Sequence, residues 1–407
     1  MSFEKDFFWG AATASHQVEG GCVNDWSRWE VSKKRMDDLE LRGEIAQHGR
    51  SNFISGEGVD HYHRYKEDIA LAKSLGMNML RVSLEWSRIE PEEGKFSAEA
   101  LAHYLDVVRT MRATSVATDV AGQRGIEPMI TLWHWPLPLW LADRGGWESA
   151  EVVAAFERFT AKVVDAIGPD VTYWITLNEP EIYASQSYLD GTWPPQKKNP
   201  IAFLSVMTHL VQAHRRAFRV IKSHQPNAQI GIAKNNIWFE AVNGSLWNRV
   251  LASIASFFWN DLLLWLTQST TDFVGMNHYF HNRIDGWFNK NKNERVSDLG
   301  WELYPEALYH VVLDAKKFGK PIIITENGLA DAEDAQRAWF LEESIRWLEK
   351  AKDDGADVRG YLHWSLLDNF EWAFGYWPQF GLIHVDRKTM ERTIRPSARK
   401  YQEMIQK

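Results

Sequence analysis

The chain has 407 residues, 45% hydrophobic and 25% charged, with 46 Lys and Arg against 54 Asp and Glu for a formal charge of −8. That balance excludes a disordered chain, and without a dense Lys/Arg stripe it excludes a protein built to bind a phosphate backbone, so nucleic acid is not an expected partner. The length admits either two or three average domains or one large barrel with elaborated loops.

The opening stretch, Met1-Ser-Phe-Glu-Lys-Asp-Phe-Phe-Trp-Gly10, has no basic segment followed by a long apolar run. No later stretch reads as approaching the roughly 18 apolar residues of a membrane span. The expectation is a cytoplasmic chain with no membrane partner. Cys22 is the one cysteine, which rules out an internal disulfide and a Cys-based metal cluster and suits a reducing compartment.

No sequence repeat of 20 to 50 residues is present, but one pattern recurs eight times: a short apolar run, a polar loop, then a helical stretch. The apolar runs are Phe8 to Ala14, Met79 to Leu84, Pro128 to Trp133, Thr172 to Leu177, Gln229 to Ala233, Asp272 to Met276, Pro321 to Thr325 and Val358 to Trp364. Most are apolar on consecutive positions, as strands buried on both faces are. Helical spacing of apolar residues covers Tyr65 to Leu75, Ala98 to Met111, Val152 to Ile167, Leu204 to Ser223 and Ala332 to Lys352. Eight such units predict an α/β fold, one (β/α)8 TIM barrel with elaborated βα loops spanning residues 1–407. The rival is a doubly wound open sheet, but no GxGxxG follows the first strand and no Pro/Gly/Ser-rich linker divides the chain.

In a barrel of this kind the chemistry gathers where strands end and βα loops begin. There the fourth run leads into Thr176-Leu-Asn-Glu179-Pro180 and the seventh into Thr325-Glu326-Asn327-Gly328. Two carboxylates facing one cleft suit glycosidic bond cleavage: one carboxylic acid protonates the leaving oxygen while a carboxylate meets the oxocarbenium-like centre. Neither motif decides this alone, since an isolated Asn-Glu-Pro is more often an ion-paired or surface residue. The count of 21 Trp points the same way, towards a ring-stacking cleft, although any single Trp is more readily a core residue.

Three further stretches accompany the two Glu motifs: Phe8-Trp-Gly-Ala-Ala-Thr-Ala-Ser-His-Gln-Val-Glu-Gly20, Trp133-His-Trp-Pro136 and Trp364-Ser-Leu-Leu-Asp-Asn-Phe-Glu-Trp372. Together the five resemble glycoside hydrolase family 1, in order and through nearly the whole chain. The resemblance implies a retaining, exo-acting β-glycosidase acting on terminal β-glucosyl, galactosyl or fucosyl residues, with Glu326 as nucleophile and Glu179 as acid/base. It implies support of the nucleophile by Tyr279, Arg81 and Asn277. Hydrogen bonds to the sugar are implied from Gln17, His134, Asn178, Glu371 and Trp372, a stacking platform from Trp364, and further wall from Trp135 and Phe380.

No cofactor and no metal are expected, since both catalytic steps suit carboxylates. The expected partners are small β-glycosides or oligosaccharides. His61 and His63 are two residues apart and leave different sides of a helix, and His278 and His281 show no carboxylate partner in the sequence. Asn243-Gly-Ser reads as a turn, because the sequon matters only after export. A carboxylate at Glu371 would repel a 6-phosphate, which disfavours a 6-phospho-β-glycosidase. A carbohydrate-binding protein that has lost catalysis is the other alternative.

Three departures from the family pattern carry expectations. About ten extra residues near 112–121, between a helix and the third strand, fall on the barrel face away from the chemistry. His278 stands where many relatives have Tyr, putting the local wall chemistry in question. The loop from Ala241 to Trp247 reads as short, which predicts an open aglycone side.

Overall fold

Eight parallel strands close on themselves: β1 (Phe8–Ala12), β2 (Met79–Ser83), β3 (Glu127–Trp133), β4 (Tyr173–Asn178), β5 (Gln229–Asn235), β6 (Val274–Asn277), β7 (Ile322–Asn327) and β8 (Val358–Trp364). Each pairs with its neighbours in sequence, and β8 returns to β1 in register from Phe8 opposite Gly360 to Ala12 opposite Trp364. This is the (β/α)8 barrel expected from the eight apolar runs. The structure is a computed structural model and describes residues 3–113 and 125–406.

The barrel interior is filled, not hollow. Met79, Met129, Ile175, Ala233, Phe273, Ile323 and Leu362 form one buried cluster, with Phe8 and Tyr173 packed against it. Outside the strands, helices bury a single stripe each. In Glu151–Ile167 the residues Val152, Phe156, Phe159, Val163 and Ile167 are buried, following the helical period. Each such side chain stabilises the fold by about 1.5–3 kcal/mol on burial. Most strand positions are apolar because helices cover one face and the plug the other.

Several sequence expectations need correction. The strands β4 to β7 run one or two residues past the apolar runs, because backbone pairing continues through polar residues at the rim. Glu326 therefore lies on β7 itself, whereas Glu179 is the first residue beyond β4. No stretch was expected to approach a membrane span, yet Leu246–Thr270 forms a continuous helical run long and apolar enough, by length and composition, to cross one. Its polar and small residues Asn248, Ala252 and Asn260 are buried against the rest of the chain, so here the helix is part of the barrel's outer layer. His281 does have carboxylate partners: Glu302 at 2.7 Å and Glu240 at 3.0 Å. They come from distant stretches of chain, which sequence proximity could not reveal.

Other readings fall into place. His61 is buried against Asp68 and His63 is exposed beside Asp60, so the pair diverges. Asn243 occupies a short turn at φ 56°. Of the extra segment near 112–121, Arg112 and Ala113 are described and the remainder lies outside the described residues. The Ile126 N–H donates to the Met111 carbonyl at 2.8 Å, so the chain resumes beside where it left.

Candidate active site

Four consecutive strands end in asparagine: Asn178 on β4, Asn235 on β5, Asn277 on β6 and Asn327 on β7. Three of these amides build a frame around the two glutamates. The Asn235 and Asn277 side chains both donate to Glu179 Oε1, at 3.1 and 2.9 Å. Asn178 Oδ1 accepts from Arg81 at 2.6 Å and from Asn277 at 3.2 Å, and its Nδ2 donates to His134 at 2.8 Å.

Local backbone aims the carboxylates. Glu179 sits at φ 39°, ψ 58°, immediately before Pro180 opens the helix Pro180–Tyr188. Proline disfavours the right-handed helical region for the residue before it, and the left-handed alternative costs a non-glycine residue about 1–3 kcal/mol. A hydrogen bond from the Glu179 N–H to the Ala233 carbonyl at 2.7 Å holds that conformation. Trp135 and Trp372 also have positive φ, 86° and 48°. Three strained residues on one cavity wall are what a site fixed by its surroundings requires.

Glu326 is aimed by a register shift. The pairing of β7 with β6 skips between Ile324 and Glu326, leaving Glu326 opposite Asn277. An irregularity of this kind turns the side chain towards the axis. Gly328 completes the motif because a Cβ there would stand 1.9 Å from the Trp364 carbonyl oxygen.

The two glutamates are buried alike but partnered differently. Glu326 receives the Arg81 guanidinium at 2.5 Å and the Tyr279 hydroxyl at 2.8 Å. Burial pushes its carboxyl up, and Arg81 and Tyr279 oppose that rise. Glu179 has only amides in opposition; burial, then the charge of Glu326, raise it to about 8. Burial and the Arg81 charge keep His134 neutral.

A cavity of about 380 Å³ opens over this pair. Of the residues singled out in the sequence, His134, Trp135, Glu179, Tyr279, Glu326, Trp364, Glu371, Trp372 and Phe380 line it. Arg81, Asn178, Asn277 and Gln17 stand behind them, fully or almost fully buried. Gln17 Nε2 donates to Asn369, the Phe370 carbonyl and Glu371, while its buried Oε1 has no protein partner. His278 is not in the lining; its Nδ1 meets the Asn236 carbonyl at 2.8 Å, so the wall does not depend on its identity.

Sequence reasoning missed Asn235, Trp193 and Trp301, all three of which line the cavity. The recurrence of Asn at strand ends was the legible signal for Asn235; the Trp count flagged a cleft without saying which residues form it. It also missed Lys234 and Glu181. Lys234 Nζ lies fully buried, 3.2 Å from Glu181 Oε1, and the same oxygen accepts from the Asn235 N–H at 2.8 Å. This pair fixes the strand end that carries one of Glu179's donors. Lys234→Met leaves a buried carboxylate without its cation and is expected to cost about 3–5 kcal/mol in denaturant unfolding. Adding Glu181→Gln should recover much of that loss, and additive penalties would contradict the pairing.

Among the described residues, the side chains nearest a metal-ligand cluster are His16, Cys22 and Glu85. Both ring nitrogens of His16 are engaged, with Glu30 at 2.7 Å and Asn24 at 3.0 Å, so the trio does not present a free ligand set.

A closed barrel with two buried carboxylates at its rim, one cation-paired and one not, under an indole-lined cavity, defines a site for cleaving glycosides. Comparison with known proteins agrees. The family model for glycosyl hydrolase family 1 matches residues 1–266 and 263–407. Beta-glucosidase A of Acetivibrio thermocellus is 31% identical over 465 aligned positions, covering 100% of this chain and 98% of that protein. The aligned length exceeds 407, so that relative carries segments this chain lacks. Among solved structures, the beta-glycosidase from Pyrococcus horikoshii superposes with a TM-score of 0.86 at 32% identity, covering 99% of this chain and 94% of the other. The beta-glucosidase from Thermotoga maritima in complex with glucoimidazole gives 0.87 at 28%, covering 99% and 98%. The chain belongs to glycosyl hydrolase family 1 and is a glycoside hydrolase.

Proposed function

We propose that the chain is a retaining, exo-acting β-glycosidase that removes terminal β-glucosyl, galactosyl or fucosyl residues, with Glu326 as nucleophile and Glu179 as acid/base. The observation that carries this reading is the unequal partnering of two equally buried carboxylates. The one held by Arg81 and Tyr279 keeps its charge and attacks; the one opposed only by amides keeps its proton and donates it.

In the first step a Glu326 oxygen bonds to the anomeric carbon as the bond to the aglycone oxygen breaks. Glu179 gives that oxygen its proton, and the aglycone leaves as an alcohol. In the second step the Glu179 carboxylate takes a proton from water, the water oxygen bonds to the anomeric carbon, and the ester bond to Glu326 breaks. Two displacements at one carbon restore its configuration. Carboxylates alone balance both steps. The unpartnered Gln17 Oε1 supports a sugar hydroxyl as its missing donor, since a buried acceptor left unsatisfied is costly.

Neutral glycosides fit better than 6-phosphorylated ones, although not for the reason the sequence suggested. Burial and the charge of Glu326 raise Glu371 to about 8, so at neutral pH it is largely protonated and repels a phosphate less than a carboxylate would. The stronger argument is that, among the described residues, the lining holds no lysine and only two arginines. Arg42 is paired with Asp38, and Arg35 is buried with its guanidinium on the Ala373 carbonyl and its Nε unpartnered, so a phosphate would have to displace one contact or reach a buried group.

Nitrophenyl β-glucoside, β-galactoside, β-fucoside and 6-phospho-β-glucoside test the reading together. Release from the neutral three with at least about 100-fold lower kcat/KM on the phosphorylated substrate is expected, equivalent to about 2.7 kcal/mol. Preference for the phosphorylated substrate overturns the glycone assignment. Sugar binding with no release from any of them makes the protein a binding scaffold.

A further inference from the structure

His281 is buried with both ring nitrogens against carboxylates: Nδ1 lies 2.7 Å from Glu302 and Nε2 lies 3.0 Å from Glu240. Carboxylate oxygens and ring lone pairs both accept, so each gap needs a proton. The ring is also fixed by stacking on Tyr304 at 4.3 Å and on Trp238 at 4.7 Å, and Trp238 in turn stacks on His310 at 3.9 Å. The two carboxylates are not equivalent. Glu240 is partly exposed and also faces Arg283 at 2.9 Å, whereas Glu302 is buried and its other oxygen takes the Asn293 N–H at 2.9 Å. Among the described residues His281 is therefore the only ionic partner of Glu302.

Glu302 follows Trp301, and the stretch that carries both is tied to itself by backbone bonds, from the Ser297 N–H to the Trp301 carbonyl and from the Leu303 N–H to the Arg295 carbonyl, each 2.9 Å. His281 follows Phe280. One imidazole thus joins the two stretches that carry Phe280 and Trp301, both on the cavity wall. The rings of that wall fall into two contact groups. Trp372 meets His134, Trp135 and Trp193, on the side where Gln17 and Glu371 stand. Trp301 instead meets Tyr279, Phe280 and Phe380, at 6.1, 4.8 and 6.2 Å. On the glycosidase reading the first group takes the hydroxyls of the sugar, which leaves Phe280 and Trp301 to the aglycone.

We propose, resting on that reading, that His281 is a positioning residue for the aglycone: by anchoring Glu302 it holds the Trp301 ring where an aromatic aglycone packs, and so sets a preference for aromatic over alkyl glycosides. An aromatic ring gains burial and ring contacts against Trp301 and Phe280 that a methyl group does not. Such contacts weaken steeply with small displacements, so the wall has to be held in place. Without His281, Glu302 is left as a buried carboxylate on a single N–H, and it gains solvation by moving outward with Trp301 attached. His281 itself is not in the cavity lining, so its influence on a ligand passes through Trp301.

Phenyl and methyl thio-β-glucosides, whose sulfur link resists hydrolysis, test this by titration calorimetry, and binding without turnover keeps the outcome separate from the roles of Glu326 and Glu179. The parent chain is expected to bind the phenyl ligand at least about tenfold more tightly than the methyl one, equivalent to about 1.4 kcal/mol. His281→Leu should bring that ratio to within about twofold while affinity for the methyl ligand stays unchanged. Trp301→Ala should do the same, and adding His281→Leu to it should change nothing further, because both act through one ring. His281→Leu/Glu302→Leu removes the buried charge together with its partner, so it folds where the single variant does not, and should show the same loss of preference. A parent without the preference, a preference kept by the folded His281 variants, a loss shared equally by both ligands, or additivity with Trp301→Ala overturns the proposal. A parent that binds neither ligand overturns the glycosidase reading, and the role of His281 with it.

Discussion

Glu326→Gly is expected to lower kcat on a nitrophenyl β-glycoside by at least about 10⁴-fold, which corresponds to about 5.5 kcal/mol of lost transition-state stabilisation. The substitution removes the atom that bonds to the anomeric carbon and leaves Arg81, which had its closest anion at 2.5 Å, as an uncompensated buried cation. That vacant anionic position is the basis for rescue. Azide should enter beside Arg81 and attack the anomeric carbon directly, restoring turnover and giving an α-glycosyl azide, the product of a single inversion. Loss of activity without rescue, together with a normally folded variant, would place the nucleophile elsewhere.

Glu179→Ala is expected to act differently on different leaving groups. Nitrophenolate departs without a proton, so the first step survives, the glycosyl-enzyme accumulates, and both kcat and KM fall. An alkyl aglycone must be protonated to leave, and its kcat/KM should fall by about 10²–10⁴-fold. Azide intercepts the accumulated ester without needing a base and should yield the β-glycosyl azide, of opposite configuration to the product from Glu326→Gly. The pH profile carries the same assignment. Glu179 is protonated below about 8 in the free enzyme, so kcat/KM on alkyl glycosides should hold below that pH for as long as Glu326 stays ionised, and decline as pH rises through it. That alkaline decline should vanish in Glu179→Ala. A decline that persists would mean that another group supplies the proton.

Legibility from sequence followed from where side chains are buried. Barrel strands could be read because a helix layer and an interior plug cover both faces, so Ile322 to Ile324 are apolar at every position and Met129 to Leu132 at every position but Thr131. Their last residues could not: Asn178, Asn235, Asn277 and Asn327 are polar for the chemistry while their backbones still pair. The helix from Leu246 escaped notice because the usual rule assigns the apolar stripe to the core, and here it faces out. The two glutamates emerged from the company of five spaced motifs; an isolated Asn-Glu-Pro remained ambiguous. Lys234 with Glu181, and His281 with Glu302 and Glu240, are pairs across tens of residues, and only the closed barrel brings them together.

The central claim, two displacements through Glu326 assisted by Glu179, is tested most directly by the anomeric configuration of the sugar first released. Proton NMR of a β-glucoside digest in its opening minutes, before mutarotation, should show the β-anomer appearing first and the α-anomer growing in later. Initial release of the α-anomer would mean a single displacement by water, and Glu326 would then be a base and not a nucleophile.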